Sequence, residues 1–199
     1  VAQVKKAKLL TKPGYSGVGL DSGPLSLLQD GGRKGIVFPY TPTINVNGSA
    51  NYNALQPPHT NYPANIFENS MPPQFNVAWM LTAQTTEEAD YMLGCIHFMR
   101  TMSKAHFGAS DPRAGTPPPV LEFSAYGDFQ FSNVPVLIRS YTYDMNSEVD
   151  MVETSFNTQV PAVLQGFLDL AVQVNPDRTR NEFSLQGIAN GSLLKKGYI

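Results

Sequence analysis

The side chains able to do chemistry are few, and their spacing does not suit it. The sequence holds three histidines, His59, His97 and His106, and one cysteine, Cys95. A metal site wants ligands that converge on one ion, such as two histidines four residues apart or paired C-x-x-C turns. Neither spacing occurs. Cys95 and His97 lie two apart, so a helix would point them to different sides and keep them from acting as nucleophile and base. There is no G-x-S-x-G elbow. The glycine-rich stretches around Gly14 and at Asp30-Gly31-Gly32 lack the Lys and Ser/Thr of a phosphate loop. The paired carboxylates Glu87/Glu88 and Glu148/Asp150 read as a helix start and a solvated loop. Two small basic groups, Lys5, Lys6, Lys8, Lys12 and Arg178, Arg180, Lys195, Lys196, could touch phosphates but have no interleaved aromatics to read bases. These residues predict no catalytic group, no metal and no cofactor.

The elements that would have to position such groups are easier to read. Phe75, Val77, Trp79, Leu81 and Ala83 alternate, which predicts a strand with one buried face. Thr85 and Glu88 then form a capping-box pair that opens a helix over residues 86–106, with Gly108 as its left-handed stop. That helix carries two apolar stripes. Ala89, Met92, Leu93, Ile96 and Met99 suit the home sheet. Tyr91, Cys95, Phe98 and Met102 lie on the neighbouring face, and only Asp90, Gly94, His97, Thr101 and Lys104 are left for solvent. A surface helix normally has one apolar stripe, so the second group is expected at a subunit interface, where aromatic and Met residues are enriched.

Before the strand, residues 1–35 read as an extended arm with Leu20, Leu25, Leu27 and Leu28 as anchors. Two short strands, 35–40 and 43–47, precede a Pro- and Asn-rich loop at 48–73, expected as a second contact arm through Tyr52, Leu55 and Tyr62. Residues 12–35 and 48–73 are expected to order only in an assembly. After the helix comes a Gly/Pro loop at 108–119. A hairpin then turns at Gly127-Asp128, and its return strand changes apolar phase between Ile138 and Tyr141, as a bulge or a strand buried on both faces would cause. A last strand spans 160–174, followed by a short element at 181–199. The expected fold is mainly β with one flanking α-helix (α+β), as a single domain over 36–199.

Composition agrees. Charged residues make up 15% of the 199 residues, below the roughly 25% of an average soluble domain. With 16 Gly and 16 Pro, this predicts strands, long connections and a surface partly covered by neighbours. A net charge of -2 gives no global reason to bind nucleic acid or an acidic membrane. One cysteine cannot form an internal disulfide. No apolar run approaches the roughly 18 residues of a membrane span, and residues 1–11 do not read as a secretory signal. A soluble, assembled protein made in the cytoplasm is expected, without membrane insertion.

Several segments in order resemble the baseplate tail-tube proteins of contractile-tailed bacteriophages, which initiate or cap the inner tail tube. They are Phe38-Pro39-Tyr40-Thr41-Pro42-Thr43-Ile44, His59-Thr60-Asn61-Tyr62-Pro63, the helix from Glu87 to Thr101, Pro117-Pro118-Pro119-Val120-Leu121 through Ala125-Tyr126-Gly127-Asp128, and the ending Phe183-Ser184-Leu185, then Gly191-Ser192-Leu193-Leu194-Lys195-Lys196-Gly197-Tyr198-Ile199. The resemblance covers most of 36–199. It implies an antiparallel β-barrel or sandwich of the tail-tube type with long contact arms. It further implies a structural virion protein that forms a homohexameric ring, links the baseplate hub protein to the tail tube protein, and lines a channel for DNA passage without sequence-specific binding. Sheath or wedge proteins are further candidate partners. The family has no catalytic residues to carry over. Its level in the stack stays open, the main tail tube protein itself included. Two other classes remain: a small-molecule-binding β-barrel, marked by a ligand-sized cavity, and a wall-degrading enzyme, which needs convergent titratable groups.

Overall fold

Alternating apolar residues build the central strands, and the chain order of those strands decides where everything else can sit. A computed structural model describes residues 5–15 and 20–199; Gly17 and Gly19 of the expected arm lie outside the described residues. In chain order the strands are β1 (Lys8–Thr11), β2 (Gln29–Asp30), β3 (Arg33–Val37), β4 (Thr43–Leu55) and β5 (Ala64–Thr82). The helix α1 (Thr86–Met102) follows, then β6 (Leu121–Ala125), β7 (Phe131–Asp144), β8 (Met151–Glu153), β9 (Gln159–Pro161) and β10 (Val163–Val172). Two short helices close the chain, α2 (Pro176–Glu182) and α3 (Leu185–Ala189).

The fold is mainly antiparallel β with flanking helix, as expected. Eight strands form one sheet in the order β2-β3-β1-β6-β7-β10-β5-β4, while β8 and β9 pair separately. The terminal strands β2 and β4 are not hydrogen-bonded to each other, so the large sheet is open. It does not close into the expected barrel, and β8–β9 is too small to be the second layer of a sandwich. Phe75, Val77, Leu81, Leu164, Leu168, Leu170, Val136 and Phe123 all point to one face and are buried. Gly166 stands opposite Trp79; a Cβ there would lie 2.6 Å from Trp79 Cζ2 and 2.2 Å from the Thr142 carbonyl oxygen. Its bare backbone therefore lets the indole lie across β10. The bulge expected in β7 is present: Asp169 pairs with Ser140 and Leu170 with Ile138, which leaves Arg139 as the extra residue.

α1 begins as its sequence predicts. Thr85 Oγ1 accepts a bond from the Glu88 N–H at 3.3 Å. Glu88 Oε2 reaches one residue further back than in a standard box and accepts from the Gln84 N–H at 2.8 Å. The end differs from expectation: the helix stops at Met102 with Ser103 as C-cap, not at Gly108. The chain leaves because the next loop supplies new partners, with the His106 N–H bonded to the Thr116 carbonyl and the Gly115 N–H to the His106 carbonyl.

The described part of the expected extended arm, residues 5–15 and 20–35, belongs to the domain. β1 sits between β3 and β6, and Arg33 ties the same region together by donating to Glu122 at 2.6 Å and to the Thr11 carbonyl at 2.8 Å. A 3-10 turn over Gly23–Leu27 packs on α1. Leu20, Leu25 and Leu28 are buried, and Leu27 remains half exposed. Gly94, placed on the solvent line from its position in the helix, is covered by this turn. A Cβ at 94 would come within 2.8 Å of the Pro24 carbonyl oxygen.

Candidate assembly surface

The most exposed part of the protein is the segment read as a loop at 48–73. It is the end of a long β-hairpin. β4 and β5 pair from Thr43↔Ala78 to Leu55↔Ala64, with register shifts after Asn47 and Asn51. β10 stops pairing with β5 at Ala171↔Gln74. Beyond that point the ladder from Ser49↔Met71 to Leu55↔Ala64 continues as two strands alone. At about 3.3 Å per residue this blade projects roughly 23 Å from the sheet. Tyr52 and Phe67 meet edge-on with ring centroids 5.7 Å apart, and Asn51 Nδ2 donates to Asn69 Oδ1 at 2.8 Å. Both faces of the blade are open: Tyr52, Leu55, Ile66, Phe67 and Met71 are each more than half exposed, and Tyr62 at the tip is 87% exposed. A lone two-stranded hairpin is marginal in water, and long apolar edges invite pairing unless something covers them. Glu68 is the only charged residue between Thr43 and Thr82.

At the root of the blade lies a groove of about 520 Å³, walled by Met71, Pro72 and Pro73 on one side and by α2, α3 and residues 197–199 on the other. The two short helices are held by their caps. Asn175 Oδ1 accepts from the Asp177 N–H at 3.0 Å, and Ser184 Oγ accepts from the Gly187 N–H at 2.9 Å. Arg178 lies over the Tyr198 ring, 5.3 Å from its centroid, and donates to Glu182 at 3.1 Å and to the Lys196 carbonyl at 3.0 Å. The Tyr198 hydroxyl is buried and has no hydrogen-bond partner among the described residues. The opposite face of the large sheet from α1 is also open; along β4, β5, β10 and β7 it carries Asn45, Asn76, Ser140, Thr142 and Gln165 together with Asp144, the Arg139–Asp169 ion pair and the exposed Phe167.

The four residues expected at a subunit interface are placed elsewhere. Cys95, Phe98 and Met102 are buried inside the chain's own core. They do not form an exposed contact surface, because the 3-10 turn and the residues around it cover the side of α1 that the sequence left to a partner. Tyr91 is half-buried against β3, where its hydroxyl donates to the Val37 carbonyl and accepts from the Val37 N–H, both at 2.8 Å. The phenol thus satisfies the last backbone groups of β3, and burial pushes its ionisation well above the ordinary range. The residues singled out for chemistry are not brought together. His59 is at the blade tip in a left-handed conformation, His97 lies on the helix, and His106 pairs with Asp111 at 3.0 Å in the following loop. The Arg113 backbone N–H, followed by His106, holds the Asp111 carboxyl below its usual range. Among the described residues no cluster of three or more His, Cys, Asp or Glu is arranged to hold a metal ion.

Burial pushes the Cys95 thiol from its ordinary 9.0 up to about 12, against a smaller opposing pull from the Tyr91 hydroxyl. Thiolate is the reactive form. A thiol-reactive dye at pH 8 is therefore expected to label the native protein at least about a thousandfold more slowly than the denatured chain. The folded thiol keeps its proton where the unfolded chain loses it. This group's contribution to stability is thus complete below about pH 9 and lost as pH rises toward 12. Equal labelling of native and denatured protein would overturn both expectations.

A scan against protein-family models finds no match, and a search of curated proteins finds none.

Proposed function

We propose that the chain is a structural subunit of the baseplate or inner tail tube of a contractile-tailed bacteriophage. In this reading six copies form a ring that joins the hub to the tube and surrounds a channel for DNA. The number six, the virion setting and the tube and hub partners come from the family resemblance. The observation that carries the need for assembly is the blade. It is a two-stranded projection with apolar residues on open faces and unpaired edges, and it makes physical sense only when covered by a neighbour. The open sheet face supports a lining role, since along β4, β5, β10 and β7 its one cation, Arg139, lies beside Asp169 and would offer passing DNA little to bind. The chain carries no catalysis of its own in this reading. Membership of the tube proper, instead of the hub junction, rests on the same observation.

Native mass measurement and electron microscopy of the purified protein, alone and with candidate tube and hub proteins, test the reading. Rings of six that add to one of those partners are the expected result. A particle that is monomeric at every concentration and ignores both partners would remove it.

A further inference from the structure

We propose that the blade of one copy seats in the groove at the blade root of a second copy. This rests on the ring reading and deepens it by naming the two surfaces that meet. Each copy carries one blade and one groove, so each can give once and receive once. That is the requirement of a head-to-tail interface, which closes into a ring when the rotation between copies allows. A copy cannot fill its own groove, because β5 runs without a break from the blade into the sheet and leads the tip away from its root.

The two surfaces match in three respects. Tyr52, Leu55, Ile66 and Phe67 are exposed on the blade, and the groove offers Phe183 and Leu185, the latter 78% exposed. Charge is complementary: the blade's single charge is Glu68, while the groove holds Lys12, which has no ion pair among the described residues, and Arg178. Finally, a stable interface engages roughly 20–30 residues a side, which the segment from Ser49 to Met71 matches in length.

Two variants test this, Phe67→Asp in the blade and Leu185→Asp in the groove. Both sites are exposed, so circular dichroism is expected to match the parent. By sedimentation, each variant alone should self-associate at least about 30-fold more weakly, as loss of an interface hot spot implies. Mixed together they should form a dimer of one copy each, because the intact blade of Leu185→Asp still fits the intact groove of Phe67→Asp, and the assembly can extend no further. A mixture without dimers, or either variant associating like the parent, overturns the proposal. Should both variants still form rings by microscopy, this contact fails and the ring reading stands. A parent that never associates removes both.

Discussion

Replacing Phe98 with aspartate is expected to unfold the protein. The side chain is fully buried in the core between the large sheet and α1. Truncating a buried phenylalanine to alanine costs about 3–5 kcal/mol from lost burial and the cavity left behind. Aspartate adds an unpaired charge in a site with no water, and a domain has only about 5–15 kcal/mol to lose. Circular dichroism and thermal melting should show no cooperative transition for Phe98→Asp. Phe98→Ala should melt at a clearly lower temperature, and Tyr62→Asp, at an exposed site, should melt like the parent. A soluble Phe98→Asp protein with a parent-like melting curve would mean that this side of α1 is a surface after all. The helix pattern alone points to that opposite outcome, a folded subunit unable to assemble.

The second large effect is on assembly without loss of the fold. Residues 51–69 can be replaced by Asn-Gly, with the Ala50↔Ser70 pair closing a two-residue turn. The removed segment is exposed throughout, so stability should change by no more than about 1 kcal/mol, and the groove wall from Ser70 to Pro73 is retained. The shortened protein is expected to stay folded and monomeric at concentrations where the parent forms higher-order particles, read by light scattering and microscopy. Persistence of the same particles would show that the blade is ornamental to assembly.

What was legible in the sequence, and what was not, follows from the range of the interactions. The strand carrying Phe75 to Ala83 was plain because its buried partner is a whole sheet face, and period two records that directly. The start of α1 was plain because Thr85 and Glu88 act within one turn. Its end was hidden: the groups that draw the chain away, Thr116 and Gly115, lie in a loop without periodicity. The double stripe on α1 was read correctly as too apolar for a surface helix. It was assigned to a second subunit because nothing local tells that Leu20, Leu25 and Leu28, far upstream, return to cover it. The blade was masked by its composition. Asn45, Asn47, Asn51 and Asn53 alternate with Ile44, Val46, Tyr52 and Ala54 as strand residues would, but asparagine and proline are also the common residues of loops. The sequence marks Tyr52, Leu55 and Tyr62 as contact residues but carries no such signal for Ile66, Phe67 and the groove residues Phe183 and Tyr198. Helices as short as α2 and α3 bury too little to leave a period.

The place of β1 has a consequence for how the chain reaches its native state. β1 lies between β3 and β6, and the Arg33–Glu122 ion pair that fastens this region joins residues 89 apart in sequence. β1 and β3 therefore lack one of their neighbours until residues 121–125 have been synthesised. Loop closure over such separations makes folding slow. Meanwhile Leu9, Leu28 and the apolar sides of α1 stay open to other nascent chains. Many copies made at once would cross that interval together, so productive yield at high expression should depend more on protection of the half-made sheet than on the stability of the finished one.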